Sequence, residues 1–216
     1  MTAEYLFDEY AEIYQNKYWD VSKYSKSIDA LCSEIKKDCP TLIELGCGPG
    51  NLTNALLAQL PTSNYLATDI SSEMVKLSVK NNPTADHEVL DINNLATRSK
   101  TYDGIVAGFC IPYLSPEQVV DFLEAAKRML NHGGMLYLSA IIATQNSKER
   151  TVSSDGQQHL DMYYYSKSWL INQLKNHGFT LLFDETIHID NNPKNEKMDW
   201  TAVMRLDYNK KSPCPS

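Results

Sequence analysis

The sequence lacks an apolar segment long enough to form a membrane-spanning helix. No apolar run approaches the ~18 residues that such a helix needs. Residues 1–10 carry three acidic side chains and no basic one, whereas a secretory signal peptide opens with a basic region. The sequence therefore predicts a cytoplasmic protein with no membrane partner.

Cysteine is scarce and shows no ligand pattern. The five cysteines are Cys32, Cys39, Cys47, Cys110 and Cys214. They form no CxxC pair, and no histidine stands at zinc-ligand spacing. An odd count without such spacing argues against a disulfide framework and against a zinc site. We expect reduced cysteines and no bound metal.

Positive charge is deficient as well. The chain has 20 Lys and Arg against 27 Asp and Glu, a net charge of −7. Nucleic-acid binders neutralise phosphates with clustered basic side chains. The charge balance therefore disfavours a polynucleotide partner without excluding one, and we expect a small-molecule partner. It gives no indication of the oligomeric state.

Length and periodicity favour one α/β domain. A chain of 216 residues with 43% hydrophobic content can bury a substantial core. Short apolar runs predict strands at residues 42–45, 65–68, 87–90, 104–108 and 135–142. Amphipathic segments predict helices at residues 4–18, 21–37, 51–60, 72–80, 116–130 and 166–176. Strands alternating with helices are typical of a doubly wound, mostly parallel sheet.

Three segments depart from this alternation. Residues 131–134 contain two glycines and are predicted to form the turn after a helix. Residues 143–159 are polar without helical or strand periodicity, so we expect a long loop there. Residues 179–189 and 198–206 predict a terminal hairpin joined by a turn at 190–197.

A glycine-rich turn follows the first predicted strand and opens a helix. This arrangement turns backbone N–H groups and a partial positive charge toward a ligand. A dinucleotide fingerprint has glycine at its first, third and sixth positions, whereas this turn has Gly46, Gly48 and Gly50, with Asn51 at the sixth. Pro49 removes one backbone donor, and Glu44 places a carboxylate beside the turn. A carboxylate there would repel phosphates but attract an ammonium group.

These residues resemble the class I S-adenosylmethionine-dependent methyltransferases, of the small-molecule type. The resemblance lies in the stretch Ile-Glu-Leu-Gly-Cys-Gly-Pro-Gly at 43–50 and in landmarks that follow in the family's order. The landmarks are Asp69, Asp91, Tyr-Asp-Gly-Ile-Val at 102–106 and Leu-Asn-His-Gly-Gly-Met-Leu at 130–136. The opening Phe-Asp-Glu-Tyr-Ala-Glu-Ile-Tyr at 7–14 is similar to the cap of small-molecule members.

The resemblance implies a Rossmann-like, doubly wound sheet of seven strands. This sheet is mostly parallel with an antiparallel last strand and has helices on both faces. We expect a single domain over residues 1–216. Its parts are a helical cap at 1–38, a cofactor-binding core at 39–142, a substrate loop at 143–165, a helix and hairpin at 166–208 and a loose tail at 209–216.

The resemblance also implies that S-adenosylmethionine is the cofactor and indicates which residues bind it. The positions are Glu44, Gly46, Cys47, Gly48, Gly50, Asp69, Ile70, Met74, Asp91, Ile92, Ala107, Gly108 and Phe109. Asp69 is expected to accept hydrogen bonds from the ribose hydroxyls. Asp91 and Ile92 are expected to meet the adenine, although Asp91 also fits an ordinary helix N-cap. Ile70 and Met74 fit either an adenine wall or the core.

The catalytic residues stay open, because methyl transfer from a sulfonium is a direct displacement that needs alignment more than a fixed triad. Candidates are His159, Tyr14, Tyr18 and Tyr113. His159 is either a base or a solvated loop residue. The stripe formed by Tyr10, Tyr14 and Tyr18 is either a core face or a lid whose rings attract a sulfonium.

The sequence thus favours methyl transfer to N, O or S of a small molecule. A regulator or partner subunit that binds the cofactor without catalysis would have the same cofactor half. An NAD(P)-dependent oxidoreductase is the weaker alternative, because the glycine spacing and Glu44 disfavour it.

Overall fold

The computed structural model describes residues 3–152, 159–189 and 196–207. Helices are α1 (Ala3–Glu9), α2 (Ala11–Tyr18), α3 (Ser25–Glu34), α4 (Asn51–Gln59), α5 (Ser72–Asn81), α6 (Pro116–Met129) and α7 (Lys167–Asn176). Strands are β1 (Thr41–Leu45), β2 (Asn64–Asp69), β3 (Asp86–Val89), β4 (Tyr102–Ala107), β5 (Leu130–Ala143), β6 (Ser147–Val152), β7 (His159–Ser166), β8 (Phe179–His188) and β9 (Met198–Leu206). Segments of 3-10 helix cover Ser22–Tyr24, Ile92–Thr97 and Ile111–Tyr113.

The main sheet has the predicted architecture. Its strands lie in the order β3, β2, β1, β4, β5, β9, β8. The pairs from β3 to β5 are parallel, and β9 runs antiparallel to both β5 and β8. The predicted mostly parallel sheet with an antiparallel last strand is therefore confirmed, although the described strands number more than the predicted seven.

Side-chain alternation along each strand produces a core on both faces of this sheet. In β1, Leu42 packs with helices α3 and α4 on one face, and Ile43 packs with α6 and α7 on the other. Every position from Leu42 to Leu45 is buried, as expected for a central strand covered on both sides. The doubly wound prediction holds for the described residues.

The prediction of a loop over residues 143–159 is wrong for residues 147–152 and for the two end residues, which lie in strands, while residues 153–158 lie outside the described part of the chain. Strand β5 continues to Ala143, and β6 pairs antiparallel with β7, which in turn pairs parallel with the end of β5. The described residues therefore form nine strands, two more than predicted. Charged residues face each other across the ribbon: Arg150 is opposite Asp161, and Lys148 Nζ lies 2.7 Å from the Asp161 carboxylate. Such cross-strand pairs stabilise a sheet without apolar alternation, which is why periodicity missed it.

Some boundaries also differ from the predictions. The first predicted helix is divided at Tyr10, whose backbone (φ −109°, ψ 16°) is not helical. The second begins with the 3-10 turn Ser22–Tyr24 and ends at Glu34. The predicted turn at 131–134 is a register irregularity at the start of β5, with Gly133 at φ 73°. The tail at 209–216, Cys214 and residues 190–195 of the terminal turn lie outside the described residues.

Candidate active site

The glycine-rich turn lies at the carboxyl end of β1, between β2 and β4. Gly46, Gly48 and Gly50 have φ of 71°, 55° and 86°, in the left-handed region that glycine adopts freely. A Cβ on Gly46 would lie 2.8 Å from the Cβ of Cys110, and one on Gly50 would lie 2.2 Å from Asn82 Nδ2. Conformation and space therefore both require glycine at these two positions.

Asp69 ends β2 and holds this turn in place. Its Oδ2 accepts a hydrogen bond from the Gly48 backbone N–H at 2.8 Å, and its Oδ1 accepts one from the Ser71 backbone N–H at 2.9 Å. The carboxyl group is buried, and burial raises its pKa while these donors oppose the shift. An ionised carboxylate has about four acceptor sites, so two backbone donors leave room for further donors.

Glu44 lies deeper in the same cleft and is only 1% exposed. Its Oε2 accepts hydrogen bonds from Thr53 Oγ1 at 2.6 Å and from the Tyr65 hydroxyl at 2.7 Å. Burial raises the pKa of this carboxyl group to about 7. Glu44 therefore joins β1, α4 and β2 as well as lining the cleft.

Asp91 forms the N-cap that the sequence allowed, and it also lines the cleft, whereas its contact with adenine stays a prediction. Its Oδ1 accepts hydrogen bonds from the backbone N–H and the side-chain Nδ2 of Asn93, both at 2.8 Å, so it is the N-cap of the turn Ile92–Thr97. Asp91 and Ile92 also line the cleft. The N-cap interaction uses only one carboxylate oxygen, so the other stays available to a ligand.

These residues enclose one cavity with about 900 Å³ of empty space, open to solvent. Eleven of the predicted cofactor residues line it: Glu44, Gly46, Cys47, Gly48, Asp69, Ile70, Met74, Asp91, Ile92, Gly108 and Phe109. Gly50 and Ala107 do not line it. Gly50 faces Asn82 and Ser78, and Ala107 is buried in the core on the face of the sheet covered by α6 and α7.

Sequence reasoning missed several lining residues. They are Phe7, Asn51, Leu52, Leu90, Asn93, Cys110 and Leu114, together with Leu45. Leu52 and Asn51 follow the glycine turn directly, and Leu90 and Asn93 flank the predicted Asp91 and Ile92. Leu45, Cys110 and Leu114 likewise adjoin predicted residues, so adjacency was a usable signal for all of the missed residues except Phe7.

The N-terminal helices cover the cavity with aromatic rings. Phe7 meets Tyr14 and Tyr113 edge to face, with ring centroids 5.8 Å and 5.2 Å apart. A Cβ on Gly48 would lie 3.8 Å from the Tyr14 ring, so Tyr14 sits over the glycine turn. Tyr18 is 45% exposed, so the tyrosine stripe is not a core face. Burial raises the pKa of Tyr14 and of Tyr113, so both phenols stay protonated at neutral pH.

A second cavity, with about 930 Å³ of empty space, adjoins the first. The two share Tyr14, Asn51, Phe109 and Tyr113. Phe109 is a non-glycine residue with a left-handed backbone (φ 62°), and its N–H donates to Ser139 Oγ at 2.6 Å. A strained residue held by a side chain at the junction of two cavities is typical of a functional position.

The sequence predicts His159 as a candidate base and residues 143–165 as a substrate loop. The backbone of His159 begins β7, opposite Val152, but its side chain lies outside what the structure describes, so its role stays a prediction. From the predicted substrate segment 143–165, Met162 lines the second cavity, and Tyr164 and Tyr165 are buried.

The cysteines near the site have the properties of packed thiols. Burial raises the pKa of Cys110 to about 12 and raises that of Cys47 well above its ordinary range. Thiolates are the reactive form of cysteine, so neither side chain is suited to covalent catalysis. Within the described residues, no group of three or more His, Cys, Asp and Glu side chains is arranged to hold a metal ion. None of the helices described is both long and apolar enough to span a bilayer.

Residues 43–136, which contain the glycine turn, Asp69 and Asp91, match a family model described as "Methyltransferase domain". The match supports the predicted similarity to the class I S-adenosylmethionine-dependent methyltransferases, with S-adenosylmethionine as the methyl donor. This family was predicted from the motif at the glycine turn.

The names of two relatives indicate different methyl acceptors. Trans-aconitate 2-methyltransferase of Variovorax paradoxus is 34% identical over 111 residues, 51% of this chain and 40% of that protein. The tRNA N(3)-methylcytidine methyltransferase trm140 of Schizosaccharomyces pombe is 26% identical over 136 residues, 58% of this chain and 43% of that protein. The chain thus spans less than half the length of either relative.

Solved structures share the fold over nearly the whole chain. The 1,6-didemethyltoxoflavin-N1-methyltransferase of Burkholderia thailandensis, with bound 1,6-didemethyltoxoflavin and S-adenosylhomocysteine, superposes with a TM-score of 0.71 at 14% identity. The match covers 95% of this chain and 87% of that one. At this identity the likeness establishes the fold and leaves the acceptor open.

Proposed function

We propose that this chain is an enzyme that transfers the methyl group of S-adenosylmethionine to N, O or S of a small-molecule acceptor. The charge of the first cavity carries the proposal. Among its described lining residues, Glu44, Asp69 and Asp91 are acidic and none is basic. Such a lining repels the pyrophosphate of a dinucleotide and attracts the sulfonium and ammonium groups of S-adenosylmethionine.

The residues at the carboxyl ends of β1, β2 and β4 match the chemical groups of this cofactor. Asp69 retains acceptor capacity for the ribose hydroxyls beyond its bonds to Gly48 and Ser71. Asp91 has one carboxylate oxygen free of the Asn93 cap for the adenine amine, and Ile92 supplies an apolar surface beside it. Gly46 and Gly48 let the ligand approach the backbone closely. Gly50 lets the other side of the turn pack against Asn82 and Ser78.

The chemistry requires little from acid and base groups. When bound, S-adenosylmethionine would supply a methyl group already activated by positive sulfur, with S-adenosylhomocysteine as the leaving group when the acceptor atom bonds to the methyl carbon. The protein aligns the two reactants and excludes water, effects worth up to roughly 7 to 11 kcal/mol of the barrier. Phe7, Tyr14 and Tyr113 provide the covering rings. Tyr14 and Tyr113 stay protonated, so they act as hydrogen-bond donors and not as bases.

The acceptor is proposed to lie in the second cavity, beyond Phe109. A small molecule fits the size of this cavity and the chain's net charge of −7. A non-catalytic regulator would use the first cavity in the same way, so catalysis is the property to measure. The cytoplasmic location stays a prediction.

The test is transfer of label from methyl-labelled S-adenosylmethionine. The purified chain is incubated with a small-metabolite extract and, separately, with total tRNA. Label in the metabolite fraction supports the proposal. Label in tRNA alone contradicts the small-molecule acceptor, and cofactor binding without label in either fraction indicates the regulator.

A further inference from the structure

The second cavity is lined by a carboxylate that accepts hydrogen bonds from the described residues through only one of its two oxygens. Asp199, in β9, is 9% exposed and lines this cavity. Its Oδ2 accepts hydrogen bonds from the Tyr24 hydroxyl at 2.6 Å and from Lys23 Nζ at 3.0 Å. In the described part of the chain, Oδ1 of the same group accepts no hydrogen bond. A carboxylate oxygen without a protein donor, on a largely buried residue that lines an open cavity, is a ready acceptor for a ligand's N–H.

The walls beside this carboxylate are aromatic. The second cavity is lined by the rings of Tyr14, Tyr18, Tyr24, Phe109 and Tyr113. Tyr24 and Phe109 are in contact, with ring centroids 4.8 Å apart. Aromatic walls favour a flat ring, because stacked and edge-to-face arrangements add to the gain from burial.

The charges of the two cavities disfavour an anionic acceptor. The charged residues described around the second cavity are Asp20, Lys23 and Asp199. Lys23 is the only cation among them and is already paired with Asp199. The adjoining first cavity contributes three further carboxylates, those of Glu44, Asp69 and Asp91. A carboxylate ligand would therefore meet net negative potential on both sides.

We propose that the acceptor is a flat aromatic or heteroaromatic compound bearing an amino or ring N–H group, and that this N–H donates to Asp199 Oδ1. The inference rests on the proposed function, because it specifies the acceptor of the same site. Tyr24 links the two ends of the arrangement: its hydroxyl holds Asp199, and its ring contacts Phe109, which lines both cavities. Asp199 thereby orients the acceptor at the side of the cavity next to the cofactor.

The test is ligand-observed saturation-transfer NMR on the chain saturated with S-adenosylhomocysteine. The probes are matched pairs with the same ring: tyramine against 4-hydroxyphenylacetate, and 4-aminoquinoline against quinoline-4-carboxylate. We expect the amines to bind and the carboxylates to bind at least tenfold more weakly. Asp199→Asn is expected to weaken amine binding at least tenfold. Lys23→Met, which removes the competing cation, is expected to strengthen it severalfold.

A purely structural role for Asp199 would not produce opposite effects in these two variants. Asp184→Asn is the matched control, because Asp184 lies in the same hairpin, is paired with Lys167 and with Trp200 Nε1, and lies outside both cavities. Amine binding in this control is expected to match that of the original chain. Failure of the amines to bind, equal or tighter binding of the carboxylates, or unchanged amine binding in Asp199→Asn overturns the proposal.

Failure of the proposed function has a different signature. If S-adenosylhomocysteine itself does not bind, the function falls and the acceptor proposal with it. If S-adenosylhomocysteine binds and label is transferred, but the amine preference is absent, only the identity of the acceptor is refuted. Retained S-adenosylhomocysteine binding also verifies that each variant is folded.

Discussion

The Asp8 carboxylate accepts a hydrogen bond from the Ser71 hydroxyl at 2.6 Å, across 63 positions of sequence. The same oxygen accepts from the Glu73 N–H at 3.1 Å, so α1 is attached to the first turn of α5. The Ser71 N–H in turn donates to Asp69. Ser71 thus connects helix α1 of the N-terminal cap to Asp69, the residue proposed to bind the ribose of the cofactor.

Asp8→Ala is expected to loosen the cap. Hydrogen bonds to a charged group are worth about 1.5 to 3 kcal/mol, so the open cap should become at least roughly tenfold more populated. Tryptic cleavage after Lys17 should accelerate accordingly, because proteolysis follows the open population. Glu12→Ala, an exposed acid in α2, is the control. An unchanged cleavage rate in Asp8→Ala would refute the role of this contact.

Asp69→Asn is expected to weaken S-adenosylhomocysteine binding by roughly 10- to 100-fold. The amide loses the charge of the carboxylate, and charged acceptors form the stronger hydrogen bonds. Calorimetric Kd values for both proteins measure the effect. Asp86→Asn, at an exposed position in β3, should leave Kd within about twofold. Equal affinity in Asp69→Asn would remove the ribose assignment.

Tyr14 and Tyr18 are expected to separate cofactor binding from acceptor binding. Tyr14 lines both cavities, whereas Tyr18 lines only the second. Tyr14→Ala should therefore raise Kd for S-adenosylhomocysteine as well as KM for the acceptor. Tyr18→Ala should raise only KM. A loss of cofactor affinity in Tyr18→Ala equal to that in Tyr14→Ala would contradict the two-cavity arrangement.

Gly50→Ala and Gly133→Ala are expected to differ in stability although both glycines have positive φ. Each substitution incurs a left-handed backbone cost of about 1 to 2 kcal/mol. At Gly133 a Cβ would have no neighbour within 4 Å, whereas at Gly50 it would lie 2.2 Å from Asn82 Nδ2. Gly50→Ala should therefore lose a further ~1 to 3 kcal/mol in urea denaturation. Equal losses would show that Asn82 moves aside.

Glu44 predicts a pH dependence of stability. Its folded-state pKa is raised from 4.5 to about 7 by burial, so the folded state holds this proton more tightly than the unfolded state. Stability should therefore fall as pH rises from about 4.5 to 7, by on the order of 3 kcal/mol. Glu44→Gln lacks this term, so its stability relative to the original chain should improve over that interval. A pH-independent difference between the two proteins in ligand-free denaturation would contradict the raised pKa.

Local sequence patterns predicted most of the fold and much of the first cavity. The glycine turn, Asp69 and Asp91 each follow a strand directly, and parallel strands bring their carboxyl ends to one edge. The second cavity was beyond such reasoning, because Tyr24 and Asp199 are 175 positions apart and meet only through packing. The left-handed backbone of Phe109 likewise had no signal, since phenylalanine rarely adopts it. The β6–β7 ribbon was missed because charge pairing replaces apolar alternation.

The acidic first cavity is proposed to bind S-adenosylmethionine and not a dinucleotide. Isothermal titration of the ligand-free chain with S-adenosylhomocysteine, and separately with NADH, measures this choice. We expect one S-adenosylhomocysteine per chain and no heat of binding for NADH. Binding of NADH with none of S-adenosylhomocysteine would contradict it.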